Sequence, residues 1–320
     1  MDITDDLPAG RRTVLPFRGE GLAGPLRSID AASPGVNGRA FEASRGGPGL
    51  TPGPPGLSSA PMVRACVLFA AGTNCDRETV TALALAGAEA DTVHVNRLKA
   101  RPALLRRYQL LVLPGGFSYG DYVASGRILA TEISRHLADE IRRFHRAGKP
   151  ILGICNGFQV LVKTGLLPAC ADLFEQQTVT LETNDSNRYE DRWVHLLTAP
   201  SPCVFTRGLE GVGRLPVAHA EGKFTVLDQE TLDRLTTGNQ VVFRYVTADG
   251  EPARYPENPN GSIDGIAGIC DPSGLILGMM PHPERYVRPE HNPRWHREGL
   301  VEPFGIAVFR NAVRHVEAHS

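Results

Sequence analysis

The segment Pro150-Ile-Leu-Gly-Ile-Cys155-Asn-Gly157-Phe-Gln-Val-Leu-Val-Lys163 decides the fold of this chain. Its apolar start, residues 150–154, is typical of a buried strand, and residues 157–163 continue in a helical pattern. A cysteine lies at the turn, with a glycine two residues before it and another two residues after it. Small neighbours are required there, because a nucleophile on a strained strand-to-helix turn leaves no room for flanking side chains. The segment therefore predicts a cysteine version of the nucleophile elbow.

Cys155 is the first candidate for catalysis. A thiol at a helix N-terminus is favoured as the thiolate, and the backbone amide of Asn156 would face the oxyanion formed at an attacked carbon. The alternative for this fragment alone is a buried structural cysteine at the end of a core strand. The other five cysteines lack the two flanking glycines and are expected to be structural: Cys66, Cys75, Cys170, Cys203 and Cys270.

Strands and helices alternate along the chain from Met62 onward. Before the elbow we predict strands at 65–70, 91–95 and 109–114 and helices at 76–86 and 128–147. This alternation predicts a mostly parallel central sheet flanked by helices, with ligands at the carboxyl ends of its strands. Later strands are predicted at 178–182, 193–199, 241–247, 265–270 and 275–280, before a closing helix at 304–316. We therefore expect one α/β domain with added antiparallel strands in its second half.

Two further motifs supply what a thiol nucleophile needs, a base and an oxyanion site. The segment Pro281-His282-Pro283-Glu284 follows the last predicted strand, and residues two apart in an extended segment point to one side. Glu284 can therefore orient the imidazole of His282 as a base. The segment 114–121, Pro-Gly-Gly-Phe-Ser-Tyr-Gly-Asp, offers bare glycine amides after the third strand. Each motif alone has an ordinary alternative, a common loop composition or a simple turn, and neither nucleotide-binding glycine motif is present.

Together these segments resemble a class I (triad-type) glutamine amidotransferase. Within that class they are most similar to the glutaminase subunits of phosphoribosylformylglycinamidine synthase, an enzyme of purine biosynthesis. Residues 72–77, Gly-Thr-Asn-Cys-Asp-Arg, and residues 218–224, Ala-His-Ala-Glu-Gly-Lys-Phe, add to the likeness, which spans about residues 62–316. The resemblance implies a flavodoxin-like α/β fold and the hydrolysis of glutamine to glutamate and ammonia.

The resemblance also implies a role for each matching residue. Cys155 would attack the side-chain amide of glutamine, release ammonia and carry a glutamyl thioester. His282 would act first as base and then as acid, with Glu284 orienting it. The remaining roles fall on the backbone amides of Gly116 and Asn156, which would form the oxyanion hole, and on Gln159, which would help to hold the substrate.

Partners and cofactors are likewise implied by the resemblance. Ammonia would pass to a large synthetase subunit that uses ATP and Mg²⁺, a small subunit would bridge the two, and this chain would bind no cofactor itself. The alternatives are the glutaminase of a different synthetase, a catalytically silent assembly subunit, or a cysteine hydrolase or chaperone on a related scaffold. The presence of Cys155, His282 and Glu284 weighs against the silent subunit.

Composition excludes several other classes of protein. The 34 Lys and Arg residues nearly balance 35 Asp and Glu residues, which argues against a chain built to bind nucleic acid or anionic membrane. No apolar run approaches the roughly 20 residues of a membrane span. Six cysteines without a C-x-x-C pair fit a reducing compartment, so we expect a cytoplasmic protein. The spacing of His291 and His296 from His282 is not that of metal ligands, and we expect no metal.

Three segments remain open at this point. Gly and Pro occupy 19 of the first 60 positions, so residues 1–61 are expected to be a disordered extension, either a genuine tail or the product of a start assigned upstream of Met62. Residues 62–320 would then form the amidotransferase domain. Residues 286–301 are expected to be a solvated, partner-facing surface, which Trp295 would anchor. His219 and Glu221 would serve partner contact, packing beside the substrate, or structure alone.

Overall fold

The apolar runs of the sequence form the centre of a nine-stranded sheet in the computed structural model, which describes residues 62–170, 172–174 and 176–319. These described residues contain eleven strands: β1 (Arg64–Phe69), β2 (Glu89–His94), β3 (Leu110–Leu113), β4 (Ile151–Ile154), β5 (Val179–Glu182), β6 (Glu190–Thr198), β7 (Val212–His219), β8 (Lys223–Val226), β9 (Val241–Val246), β10 (Ile266–Cys270) and β11 (Ile276–Met279). The helices are α1 (Asp76–Leu85), α2 (Val95–Ala100), α3 (Arg127–His136), α4 (Ala138–Arg146), α5 (Asn156–Lys163), α6 (Gln229–Thr237), α7 (Trp295–Glu298) and α8 (Phe304–Ala318).

Five strands run parallel in the order β2-β1-β3-β4-β11. All residues of β3, β4 and β11 are buried, as expected for parallel strands covered by helices on both faces. The order is that of a flavodoxin-like sheet, in which ligands bind at the carboxyl ends of the strands. Beyond β11 the same sheet continues with antiparallel β10, β9, β6 and β7, while β5 and β8 pair separately. The predicted fold class is confirmed.

Strand pairing brings two distant motifs to one edge of the sheet. β4 and β11 are parallel neighbours, with Gly153 opposite Gly278 and Ile154 opposite Met279. Each strand is followed directly by a candidate site segment, so Cys155 and His282 emerge at adjacent strand ends. The backbone amide of Cys155 donates to the carbonyl of Met279 at 2.8 Å, which extends the pairing up to the elbow.

Several elements differ from the sequence-based expectation. Besides β7, the sequence did not predict β8, α2, α6 and α7. The single helix expected over 128–147 is divided into α3 and α4 at Leu137, and nothing in the local sequence explains the division. The strand β7 was missed because it contains Pro216, which cannot donate a ladder hydrogen bond. Proline is tolerated here since β7 is an edge strand. The expected disordered extension, residues 1–61, lies outside the described residues.

The lengths and apolarity of the helices bear on membrane insertion. None of those in the described ranges combines the length and apolarity that crossing a bilayer requires.

Candidate active site

Cys155 occupies a strained turn between β4 and α5. Its backbone adopts φ 50° and ψ −105°, a conformation that L-residues rarely adopt, and its side chain is buried. A Cβ placed on Gly157 would lie 1.9 Å from the carbonyl oxygen of Leu113, and one on Gly153 would lie 2.8 Å from the carbonyl oxygen of Gly157. Neither position can therefore hold a side chain while the turn keeps this shape. These close contacts with backbone oxygens explain why glycine occurs two residues before and two residues after Cys155.

His282 and Glu284 form a buried hydrogen-bonded pair. Ring atom Nδ1 of His282 lies 2.6 Å from Oε1 of Glu284, and both side chains are almost fully buried. The backbone of His282 is held by its amide, which donates to the carbonyl of Pro216 at 2.9 Å. Among the described residues, Nε2 of His282 has no hydrogen-bond partner, so it is available to exchange a proton with a reacting group. A carboxylate on Nδ1 and a free Nε2 are the arrangement that a general base requires.

The electrostatic surroundings favour a charged imidazole at His282. Burial by itself lowers the pKa of this group, but the Glu284 carboxylate and then the Cys155 thiol act in the opposite direction. The net result is a pKa well above the ordinary value of histidine. A charged imidazole on the strand end next to the elbow is suited to act with a thiol nucleophile.

Glycine keeps open the space between the nucleophile and the base. A Cβ on Gly115 would lie 2.8 Å from Cε1 of His282 and 3.4 Å from Cβ of Cys155. The next residue, Gly116, has φ 134°, a region that favours glycine, and a Cβ there would lie 2.6 Å from the backbone nitrogen of Asn74. The segment after β3 therefore passes close to both catalytic candidates, where a backbone amide can face the oxyanion formed at an attacked carbon.

The side chains of Asn156 and Gln159 belong to one buried network. Nδ2 of Asn156 donates to Oε1 of Gln159 at 3.0 Å and to Oδ1 of Asp121 at 3.1 Å. Nε2 of Gln159 donates to the carbonyl of Glu221 at 2.5 Å. Gln159 thus has each polar end of its amide engaged already, although an amide can form further hydrogen bonds. Its direct contact with glutamine, as the resemblance implies, stays a prediction.

The loop after β7 packs beside this network. His219 is buried, and its Nδ1 lies 3.2 Å from Oδ1 of Asn184. Burial lowers the pKa of His219 to about 3, so the ring is neutral. The carbonyl of Glu221 accepts from Gln159 and a carboxylate oxygen of Glu221 accepts from the amide of Ser125 at 3.3 Å, so this loop packs against the network, and its role toward substrate or partner stays a prediction. Buried His219 offers no surface for a partner.

The structure adds Cys75, which was expected to be structural. Its thiol is buried and accepts a hydrogen bond from Nη2 of Arg285 at 3.2 Å. Ligand atoms of Cys75, His282 and Glu284 lie within 4.8 Å of one another. The guanidinium of Arg285 already occupies the Cys75 thiol, and Oε1 of Glu284 already binds Nδ1 of His282, so these contacts are those of a charge-paired cluster. The position of Cys75 in the sequence could have indicated that it lies at the site. This residue follows β1 at the same edge of the sheet at which β3 and β4 end.

Segment 286–301 contains both buried and exposed residues, whereas the sequence predicted a solvated surface. Tyr286, Val287 and Asn292 are buried, whereas most of the other residues are exposed. Trp295 is partly buried and packs its ring 3.8 Å from that of His296, centroid to centroid. A surface of this kind can take part in an interface, but its role stays a prediction.

The chain is similar to known proteins over most of its length. The family model for a CobB/CobQ-like glutamine amidotransferase domain matches residues 62–316. The phosphoribosylformylglycinamidine synthase subunit PurQ of Dehalococcoides mccartyi is 48% identical over 255 residues, covering 79% of this chain and 97% of that protein. The PurQ subunit of Archaeoglobus fulgidus is 42% identical over 268 residues, covering 80% and 97%. The structure of PurLQS from Thermotoga maritima contains a chain that superposes with a TM-score of 0.60 at 33% identity, covering 79% of this chain and 98% of that one.

The matched range includes the elbow, the histidine–glutamate pair and the glycine segment. A buried thiol, a carboxylate-bound imidazole and backbone amides at the elbow and after β3 are the groups that acyl transfer through a thioester needs. The chain therefore belongs to the CobB/CobQ-like glutamine amidotransferases, in the branch whose members are named phosphoribosylformylglycinamidine synthase subunit PurQ.

Proposed function

We propose that this chain is the glutaminase subunit of a phosphoribosylformylglycinamidine synthase in de novo purine biosynthesis. The observation that carries the proposal is the strained elbow of Cys155 beside the Glu284-bound imidazole of His282, in a chain that matches PurQ proteins over nearly their whole length. Glutamine would be hydrolysed to glutamate, and the ammonia would be supplied to the conversion of formylglycinamide ribonucleotide to formylglycinamidine ribonucleotide.

The chemistry divides between three side chains and two amides. The thiolate of Cys155 attacks the carboxamide carbon of glutamine, and the amides of Gly116 and Asn156 stabilise the oxyanion. His282 donates its proton to the departing ammonia, which leaves a glutamyl thioester on Cys155. The same ring then takes a proton from water, which cleaves the thioester and releases glutamate. Glu284 keeps the ring oriented, and Gln159 with its network shapes the substrate side.

Removing the carboxylate of Glu284 tests the role of the pair. In Glu284→Gln the pKa of His282 falls, because the charge that raised it is gone. We expect glutamine hydrolysis to drop by about 10²- to 10⁴-fold, as for other losses of acid–base function. The protonated ring then survives only at lower pH, so the alkaline limb of the rate profile moves to lower pH. Rates of glutamate release across the range from about pH 5 to about pH 9 measure both effects.

The matched control is Glu290→Gln, since Glu290 is an exposed carboxylate on the same connection between β11 and α8. It should leave rate and profile unchanged. An unaltered pH profile in Glu284→Gln would contradict the role of Glu284.

An exposed apolar surface adjoins the proposed site and suits a synthetase partner. This rim patch consists of Phe117, Tyr122, Val123 and Tyr189. Phe117 directly follows Gly116, and its ring lies 6.4 Å from that of Tyr189. Tyr122 and Val123 are 74% and 89% exposed, and Val123 holds φ 76°, which is costly for a β-branched residue. Exposed apolar side chains beside a site mark an interaction surface, and ammonia released there would enter the partner directly.

The first experiment is glutamate release from glutamine with and without the candidate synthetase and bridging subunits, ATP, Mg²⁺ and formylglycinamide ribonucleotide. We expect strong release only in the complete mixture. Tyr122→Asp should weaken the stimulation at least about tenfold, because a charge in an apolar interface remains unpaired. The control Leu227→Asp changes an equally exposed apolar residue outside the rim patch and should be stimulated normally.

Glutamate release at the same rate with and without the added subunits would support the glutaminase activity but indicate a different synthetase partner. No release from a correctly assembled mixture would favour the silent assembly subunit instead. Normal stimulation of Tyr122→Asp would remove the rim patch from the interface.

The same proposal places ATP and Mg²⁺ on the synthetase subunit and the reaction in the cytoplasm, where the six cysteines would stay reduced. It assigns the activity to residues 62–320, supported by a family match that begins at Met62 and by α8, which extends to Ala318.

A further inference from the structure

Cys75 lies in the turn that supports the oxyanion segment. Phe117 donates its amide to the carbonyl of Gly72 at 3.0 Å, Thr73 pairs with Gly116, and Cys75 donates its amide to the carbonyl of Gly115 at 3.3 Å. The turn also starts α1, whose first residues include Thr79, with its side-chain hydroxyl bonded to the carbonyl of Cys75 at 2.7 Å. The position of Gly115 and Gly116 is therefore set by residues 72–75.

Arg285 reaches this turn from the base loop. It directly follows Glu284, is half-buried, and donates from Nη2 to Sγ of Cys75 at 3.2 Å. The thiol in turn donates to Oδ1 of Asn74 at 3.3 Å, so Cys75 uses both its acceptor and its donor capacity. A hydrogen bond from a charged donor is among the stronger ones, and burial excludes competing water.

The hydrogen bond between Arg285 and Cys75 joins two parts of the site that lie 210 positions apart in the sequence. On one side it holds the loop carrying His282 and Glu284, and on the other it holds the glycine segment carrying the oxyanion amide. We propose that Cys75 and Arg285 are a positioning pair that fixes the base loop against the oxyanion segment. The inference rests on the proposed glutaminase function and adds two residues to it that do not react.

A bonding role and a packing role predict opposite substitution patterns at Cys75. If Cys75 acts as an acceptor for Arg285, serine restores an acceptor oxygen whereas valine removes it. If Cys75 only fills a buried space, valine is the better replacement, since burying a hydroxyl costs more than burying a methyl group. The pair Cys75→Ser and Cys75→Val therefore separates the two roles. Arg285→Lys and Arg285→Met apply the same logic from the other partner.

The measurement is kcat and KM for glutamine in the full-length chain assembled with its synthetase. We expect Cys75→Val and Arg285→Met to lower kcat by about 10- to 100-fold with KM changed much less, because small misplacements of catalytic groups cost rates of that size. Cys75→Ser and Arg285→Lys should keep kcat within about threefold of the unaltered chain. Thermal unfolding of each variant shows whether the fold is retained.

Cys66 provides the matched control, since it is a fully buried cysteine within β1 and away from the base loop. There valine should be tolerated better than serine. The same pattern at Cys75, with equal kcat for Arg285→Met and Arg285→Lys, would overturn the positioning pair. Cys155→Ala in the same assay distinguishes failure of the positioning pair from failure of the proposed function. If Cys155→Ala is inactive, the proposed glutaminase function stands even where the positioning pair is contradicted. If the Cys75 variants do not fold, the Arg285 variants decide.

Discussion

Replacing Cys155 by alanine is expected to abolish glutamine-dependent synthesis by the assembled enzyme while ammonia-dependent synthesis continues. Alanine cannot form the thioester, and loss of a nucleophile typically costs more than about 10⁴-fold in rate. Added ammonia bypasses the glutaminase, because under the proposed function the later chemistry occurs on the partner. Product formation is measured in parallel with glutamine and with an ammonium salt as nitrogen source, and glutamate release is measured alongside.

Cys203→Ala is the control for this substitution, since Cys203 is also fully buried but lies at the start of a short helix away from the elbow. It should retain both activities. Loss of both activities in Cys155→Ala, with the complex no longer assembling, would instead assign Cys155 a structural role.

The second large effect is expected for Gly157→Ala. A Cβ at this position would lie 1.9 Å from the carbonyl oxygen of Leu113, and backbone cannot yield as a flexible side chain can. The start of α5 must therefore move away from β3, which displaces the Cys155 thiol and the amide of Asn156 together. We expect at least about a 100-fold loss of glutamine hydrolysis and a destabilisation of about 1–3 kcal/mol or more. Glutamate release and chemical denaturation measure the two effects.

Gly208→Ala separates steric conflict from the general cost of losing a glycine. Gly208 has φ 72°, a conformation that disfavours alanine, but a Cβ there meets no atom within 4 Å. Its cost should stay near 1 kcal/mol with activity unchanged. Full activity in Gly157→Ala would show that the elbow tolerates a side chain, contrary to the geometry of the structure.

Local patterns were sufficient to predict the central strands and the elbow. Residues 150–163 contain a buried apolar run, a cysteine between two glycines and a helical period, and each of these depends on neighbours within a few residues. The structure places the corresponding β4 and α5 almost where they were expected. Parallel order then follows from the alternation of strands with helices, since parallel strands need crossover connections.

Other elements of the chain depended on context that local patterns do not contain. Pro216 makes the sequence of β7 look unlike a strand. Proline is tolerated in β7 because this strand lies at the edge of the sheet. The division between α3 and α4 has no marker such as proline or glycine in its sequence. For such elements, packing against the rest of the chain outweighs local preference.

The sequence by itself determined which residue types could perform the chemistry: a thiol at an elbow, an imidazole two residues from a carboxylate, and bare amides after a strand. Each of these motifs spans only a few residues, so local backbone geometry fixes the relative positions of the residues within it. Tertiary structure decided how the motifs meet, by pairing β4 with β11 and by bringing the turn after β1 onto the segment after β3. It thereby placed Cys75 beside Arg285, 210 positions later in the chain. Contacts of this range arise from the folding of the sheet, which no local pattern of residues encodes.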